Sequence, residues 1–134
     1  MNQTRDYRWL LVAVFFLLLI LGATILAYLK LVPTEIKNIP YYDSIGHFLL
    51  FGMLALSLDH ALKRKMFHFN HFSFPIASFV VGLYAIIDES LQAFSNVRTI
   101  ELSDLLFGFL GIACLTTLGR RLLINFPPQN SNAS

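Results

Sequence analysis

The chain has 134 residues, of which 56% are hydrophobic and only 13% are charged. Soluble domains average about 45–50% apolar and about 25% charged residues, so this composition excludes an ordinary soluble domain and is typical of a small polytopic membrane protein. The formal net charge of +2 is too small to indicate nucleic-acid binding. The single cysteine, Cys114, can form no internal disulfide.

The N-terminal part of the chain predicts a short polar segment at 1–8 and an uncharged apolar helix at 9–29. About 20 apolar residues in a helix cross the roughly 30 Å hydrocarbon core of a bilayer. A cleaved signal peptide is the alternative, because basic residues precede the apolar run. Its apolar core would be about 7–15 residues long and would end at a site of small residues. We therefore predict that this first helix is retained as a membrane span.

The rest of the chain predicts three further membrane helices that are separated by short polar segments. Pro33 and Pro40 discourage a helix between the first two spans. Ser73 and Pro75 favour a helix start, with a hydroxyl cap and a proline in the first turn. The predicted segments are an outer loop at 30–42, a second helix at 43–62, a basic and aromatic cytoplasmic loop at 63–73, a third helix at 74–94, an outer loop at 95–102, a fourth helix at 103–124 and a cytoplasmic tail at 125–134.

The distribution of lysine and arginine predicts the orientation, because cytoplasmic loops carry an excess of both. One side of the predicted bundle carries seven of these residues and the other side carries three. The seven are Arg5, Arg8, Lys63, Arg64, Lys65, Arg120 and Arg121, and the three are Lys30, Lys37 and Arg98. We therefore predict an all-α membrane protein with four transmembrane helices in an antiparallel bundle and both termini in the cytoplasm.

Polar residues collect on the predicted outer side of this bundle. Asp88 and Glu89 lie within the third helix, where one carboxylate at the bilayer centre costs about 2.5–3.5 kcal/mol on insertion scales. Such residues indicate a functional site by default. The candidate ligand-binding residues are Asp43, His47, Asp88, Glu89, Gln92, Arg98 and Asp104, and the candidates for catalysis are Glu89, His47 and Asp104.

Small residues on shared helix faces predict where the helices pack closely. Gly82 and Ala85 share a face with Glu89, which we therefore expect to point into the bundle. Asp88 lies about 100° away on the helical wheel and is the weaker candidate, directed toward the interface. The predicted packing residues are Gly82, Ala85, Gly108 and Gly111.

Several of the candidates also have a purely structural interpretation. Asp43 could cap the second helix, and Asp104 could interact with the dipole of the fourth helix. His47 could reach for lipid headgroups, and Arg98 could simply neutralise a carboxylate. His68 and His71 in the cytoplasmic loop provide too few ligands for a zinc site, so the sequence predicts neither a metal nor a cofactor.

The order and spacing of the polar residues resemble the VanZ-like family, over about residues 41–115. The pattern of that family is roughly DKxxHF, then ExxQ, an arginine and DxxxNxxG. This chain carries Asp43-x-x-x-His47-Phe48, Asp88-Glu89-x-x-Gln92, Arg98, and Asp104 with Gly111 seven residues later. The first helix matches the family only as an apolar span.

Three residues depart from the pattern of the family. Ser44 replaces the usual lysine, Gly108 replaces the usual asparagine, and Leu91 replaces a frequent histidine. The site has therefore lost polar groups. The resemblance implies a small multi-pass protein of the bacterial plasma membrane with an outward-facing polar site, and an association with lowered susceptibility to glycopeptides such as teicoplanin.

Three classes of function remain open from the sequence. The first is a protein that binds or modulates a cell-envelope lipid, a lipid-linked wall precursor or a lipophilic glycopeptide. The second is a membrane enzyme that performs acid/base chemistry on a lipid-linked substrate. The third is a structural or assembly protein whose polar cluster only stabilises the bundle. The bilayer is the predicted partner, nucleic acid is not, and an oligomer stays open.

Overall fold

The computed structural model describes residues 3–31, 33–94 and 102–124. Within these ranges the chain forms five helices and one two-stranded hairpin. They are α1 (Gln3–Tyr28), α2 (Thr34–Lys37), α3 (Tyr42–Ala61), β1 (Met66–Phe69), β2 (Phe72–Pro75), α4 (Ile76–Ala93) and α5 (Leu102–Ile124). The single turn of α2 lies within the segment that the sequence predicted as a loop.

Three helices of the described chain are long and apolar enough to cross a membrane. These segments are Tyr7–Tyr28 in α1, Tyr42–Ala61 in α3 and Leu102–Leu122 in α5. Large apolar side chains such as Leu18 and Leu110 are exposed on the outside of the bundle. An apolar exterior is unfavourable in water but is normal for helices in lipid. The chain is therefore a mostly helical membrane protein.

The third element, α3, lies at the centre of the bundle. It packs against α1, α4 and α5, and its contact with α5 is the most extensive. The buried apolar side chains of the core come from all four long helices: Ala13, Ile20, Phe51, Leu54, Ala55, Val81, Ala85 and Ile112. Side chains on α3 are therefore close to each of the other long helices.

Glycines allow α3 and α5 to approach at backbone contact. A Cβ added at Gly111 would overlap the backbone of Phe48. A Cβ at Gly52 would overlap the Leu115 side chain and lie 2.8 Å from the Gly111 carbonyl oxygen. Close backbone approach through small residues is a usual way for helices to associate in lipid. Gly111 was predicted to pack in this way, whereas Gly52 was not.

The other two predicted packing glycines lie in ordinary contact. A Cβ at Gly82 would lie 3.5 Å from the Phe109 ring, and a Cβ at Gly108 would lie 3.9 Å from the Phe51 ring. These distances are ordinary van der Waals separations, so neither position requires glycine for lack of space.

A β-hairpin occupies the segment that the sequence predicted as a loop followed by a helix start. Its strands pair antiparallel, with His68 opposite Ser73, and α4 begins at Ile76. The prediction that Ser73 caps the helix and that Pro75 occupies its first turn is therefore wrong. The hydroxyl of Ser73 is hydrogen-bonded to His68 Nδ1 across the hairpin, at 2.7 Å. Polar and aromatic residues alternate here with the period of two that is typical of strands.

The antiparallel order of the helices gives the bundle two ends. The hairpin end contains the start of α1, the ends of α3 and α5, the hairpin and the start of α4. The α2 end contains the end of α1, α2, the starts of α3 and α5, and the end of α4. Side-chain contacts join the elements at each end, for example Arg120 to Met66 at the hairpin end and Ser44 to Asp104 at the α2 end.

Candidate functional site at the α2 end

The first turns of α3 hold His47 in a defined orientation. His47 Nδ1 lies 2.8 Å from the backbone carbonyl oxygen of Asp43. A carbonyl oxygen only accepts, so Nδ1 donates, and in the neutral ring Nε2 keeps the lone pair. The ring also stacks on Phe51, with the centroids 5.5 Å apart. The nitrogen that remains for a ligand is therefore Nε2.

The first turn of α5 holds Asp104, whose side chain is 2% exposed. The hydroxyl of Ser44 on α3 donates a hydrogen bond to Asp104 Oδ1 at 2.8 Å. This is the serine that departs from the lysine of the VanZ-like pattern. Asp104 therefore accepts a hydrogen bond from a neutral hydroxyl.

The last turns of α4 carry the adjacent carboxylates Asp88 and Glu89. Their side chains are 7% and 4% exposed, respectively. The Thr24 hydroxyl on α1 lies 3.4 Å from Asp88 Oδ1 and is positioned to donate to it. The helical wheel directed Asp88 toward the interface, but the structure buries it against α1. Thr24 of α1 lies beside this position, which the helical wheel of α4 alone does not show.

Three of the predicted residues converge at the α2 end, each from a different helix. They are His47 of α3, Glu89 of α4 and Asp104 of α5, and they are named here the carboxylate–histidine cluster. One nitrogen or oxygen ligand atom from each residue lies within 4.8 Å of the other two. This arrangement can accept hydrogen bonds, hold a proton or bind a cation.

The remaining predicted residues contribute in different ways. Asp43 lies in the first turn of α3, is half-buried and provides the carbonyl oxygen that orients His47. Gln92 lies in α4, one turn beyond Glu89, but its side chain is outside the described part of the structure. Arg98 lies outside the described residues altogether.

Two residues next to the site were not identified as site residues from the sequence. Thr24 was part of a helix that matched only as an apolar span, and Ser44 was noted only as a departure from a pattern. The signal for Thr24 was a small hydroxyl side chain in an uncharged apolar run. Its hydroxyl also lies 2.9 Å from the Ile20 carbonyl oxygen in the same helix. Because threonines in helices commonly make this local hydrogen bond, the sequence does not indicate a contact with another helix.

The hairpin end holds another buried carboxylate, which forms a direct ion pair. Asp59 is 0% exposed, and Arg120 donates to both of its carboxylate oxygens, at 2.9 Å from Nε and 2.7 Å from Nη2. Arg120 also contacts the sulfur of Met66 in β1 at 3.0 Å. This bidentate pair ties α3, α5 and the hairpin together.

Comparisons of the chain with family models, curated proteins and solved structures found no match.

Proposed function

We propose that the chain is a plasma-membrane protein of bacteria, similar to the VanZ-like family, that binds a cell-envelope ligand at its α2 end. The ligand is an envelope lipid, a lipid-linked wall precursor or a lipophilic glycopeptide. The observation that carries the proposal is the carboxylate–histidine cluster, in which three side chains from three helices come within 4.8 Å. Polar residues that converge inside a membrane bundle are expensive and usually functional.

The proposal includes a topology of four membrane spans, in which α4 crosses the membrane as well as α1, α3 and α5. Consecutive long helices run in opposite directions, so each helix takes the chain to the opposite end of the bundle. Lys63, Arg64 and Lys65 precede the hairpin, and basic residues favour the cytoplasmic side. With the hairpin end in the cytoplasm, both termini are cytoplasmic and the carboxylate–histidine cluster faces outward.

The chemistry of the cluster favours ligands that carry hydrogen-bond donors. Ionised carboxylates accept strong hydrogen bonds from ammonium, amide and hydroxyl groups. Sugars and peptides, the polar parts of wall precursors and glycopeptides, carry such groups. Arg98 is assigned a complementary role, in which its guanidinium pairs an anionic group of the ligand.

An enzymatic role is the alternative that the geometry of His47 supports. Its imidazole ring lies with two buried carboxylates, and in the neutral ring the Nδ1 contact leaves the lone pair on Nε2. Such groups can pass a proton between side chain and substrate. This alternative requires that purified protein turns over a labelled lipid-linked substrate. Binding without turnover favours the first proposal.

The test of the proposed function is teicoplanin susceptibility in a strain that expresses the protein at matched membrane abundance. We expect wild type to lower susceptibility and Glu89→Gln and Asp104→Asn to lose this effect. The control is Glu35→Gln, which neutralises an exposed carboxylate in α2 and should behave like wild type. Wild type that does not differ from the empty vector would contradict the link to glycopeptides. Variants that cannot be brought to the membrane abundance of wild type would favour the assembly role.

The topology has a separate test, in which the native cysteine is removed and single new cysteines are introduced. In a Cys114→Ser background, new cysteines are placed at Ile36 in α2 and at His71 in the hairpin turn, both of which are exposed. We expect a membrane-impermeant maleimide to label Ile36→Cys in intact cells and His71→Cys only after permeabilisation. The reverse pattern would contradict the proposed orientation.

A further inference from the structure

We propose that the carboxylate–histidine cluster is a binding site for one divalent transition-metal ion, and that this ion is Zn²⁺. The site consists of His47, Glu89 and Asp104, with one ligand atom from each. Its donor set of one imidazole nitrogen and two carboxylate oxygens suits zinc, whereas Ca²⁺ and Mg²⁺ prefer oxygen alone.

The spacing of the three ligand atoms is close to what zinc requires. They lie within 4.8 Å of one another, and zinc binds nitrogen and oxygen ligands at about 2.0–2.2 Å in a tetrahedron. Ligand atoms around a tetrahedral zinc are therefore about 3.4 Å apart. Side-chain rotations that move these atoms inward by about 1 Å would close the shell around a metal.

The contacts of the histidine are those that metal-bound histidines generally make. His47 Nδ1 donates to the Asp43 carbonyl oxygen, which leaves Nε2 for the metal. A second hydrogen bond of this kind fixes the tautomer and makes the imidazole a better ligand. On the opposite side, the Ser44 hydroxyl donates to Asp104 Oδ1 and orients that carboxylate in the same way.

The burial of the two carboxylates also suits a metal ligand set. Glu89 and Asp104 are both almost fully buried, and their carboxylates lie in the same cluster. A divalent cation between them would be coordinated by both groups.

Three protein ligands leave the fourth position of a tetrahedral zinc open, as in catalytic zinc sites. That position could hold water or an anionic oxygen of an envelope ligand, and the role of the envelope ligand rests on the proposed function. Metal binding itself does not depend on the proposed function. An equilibrium binding measurement therefore tests the metal site, whereas teicoplanin susceptibility tests the proposed function.

The test is Zn²⁺ binding to the purified full chain in lipid nanodiscs, prepared with an affinity tag that contains no histidine and stripped with EDTA. We expect one Zn²⁺ per chain by calorimetry. We expect His47→Ala and Asp104→Asn to weaken binding by more than the 10–100-fold that loss of an orienting residue typically causes. Ser44→Ala should weaken it by about 10-fold, because it removes only an orienting hydrogen bond. Co²⁺ in place of zinc should give the intense visible absorption of a tetrahedral site.

Matched controls separate this site from adventitious zinc on surface histidines. The variant His68→Ala/His71→Ala removes both histidines of the hairpin and should keep full affinity and stoichiometry. His47→Gln serves if His47→Ala does not fold, and circular dichroism verifies the helical content of each variant. The proposal is overturned if wild type binds no zinc, if the hairpin variant abolishes binding, or if folded His47 variants bind as tightly as wild type.

Discussion

The two ends of the bundle bury charge in opposite ways. At the hairpin end, the fully buried Asp59 meets a bidentate Arg120, so the negative charge is cancelled by direct contact. At the α2 end, the almost equally buried Asp104 accepts from the neutral hydroxyl of Ser44 and shares a cluster with a second carboxylate, Glu89. Among the described residues, one end forms a direct ion pair, and the other brings two carboxylates and a histidine together.

This difference separates a structural role from a functional one. An ion pair with complementary geometry holds the elements around it in register and needs no ligand. Like charges that are buried together are tolerated where a site must receive a proton, a cation or a ligand, and they lower stability in return. The comparison therefore favours a structural role for the hairpin end and agrees with the site that we propose at the α2 end.

The largest effect on stability is expected at the hairpin end, from Asp59→Asn. Removing one partner of a buried ion pair leaves the other uncompensated and typically costs about 3–5 kcal/mol. Arg120 keeps 22% exposure and stays partly solvated, so we expect a loss near the lower limit, about 3 kcal/mol. The measurement is the free energy of unfolding in mixed micelles with increasing SDS.

The control for this variant replaces the whole pair with apolar residues of similar size, Asp59→Leu together with Arg120→Met. Because neither charge is then left alone, most of the stability should return. If Asp59→Asn unfolds like wild type, the pair is not structural and the contrast between the two ends fails.

The second prediction compares the two halves of the contact between α3 and α5. A Cβ at Gly111 would overlap the backbone of Phe48, which cannot move without shifting a helix. A Cβ at Gly119 would overlap only the terminal methyl of Leu56, which can rotate away. We expect Gly111→Ala to lose about 1–3 kcal/mol in the same unfolding assay and Gly119→Ala to lose clearly less. Equal losses of unfolding free energy would show that the α3–α5 contact is no more rigid at Gly111, near the cluster, than at Gly119.

The sequence predicts the helices well because their signal is local. Long uncharged apolar runs, such as residues 9–29, favour helices in lipid, because a helix satisfies its backbone hydrogen bonds internally. The positions of these helices therefore follow from composition. The hairpin was missed because its period-two alternation spans only four residues on each side of the turn at Asn70. Ser73 and Pro75 fit a helix start equally well, and only the cross-strand contact to His68 decides between the two.

The candidate site was predicted in part, for a similar reason. His47, Glu89 and Asp104 could be chosen because a titratable group in an apolar run stands out and because the antiparallel order places all three at one end. The hydroxyl partners of Asp88 and Asp104, which are Thr24 and Ser44, could not be chosen. Threonine and serine are common in membrane helices, and their contacts depend on how the helices rotate against each other. The Asp59–Arg120 pair was missed because each residue alone is ordinary at a helix end.

The smallest change in stability, and one of opposite sign, is expected from Asp104→Asn measured in EDTA. Asparagine keeps an oxygen that accepts from the Ser44 hydroxyl, but it removes one of the two clustered carboxylate charges. The unfolding free energy should therefore stay the same or rise by up to about 1 kcal/mol, a typical gain when a functional site is neutralised. Saturating Zn²⁺ should stabilise wild type, because a ligand that binds only the folded state shifts unfolding, and should leave Asp104→Asn almost unchanged. A loss as large as that of Asp59→Asn would mean that the carboxylates at both ends are structural.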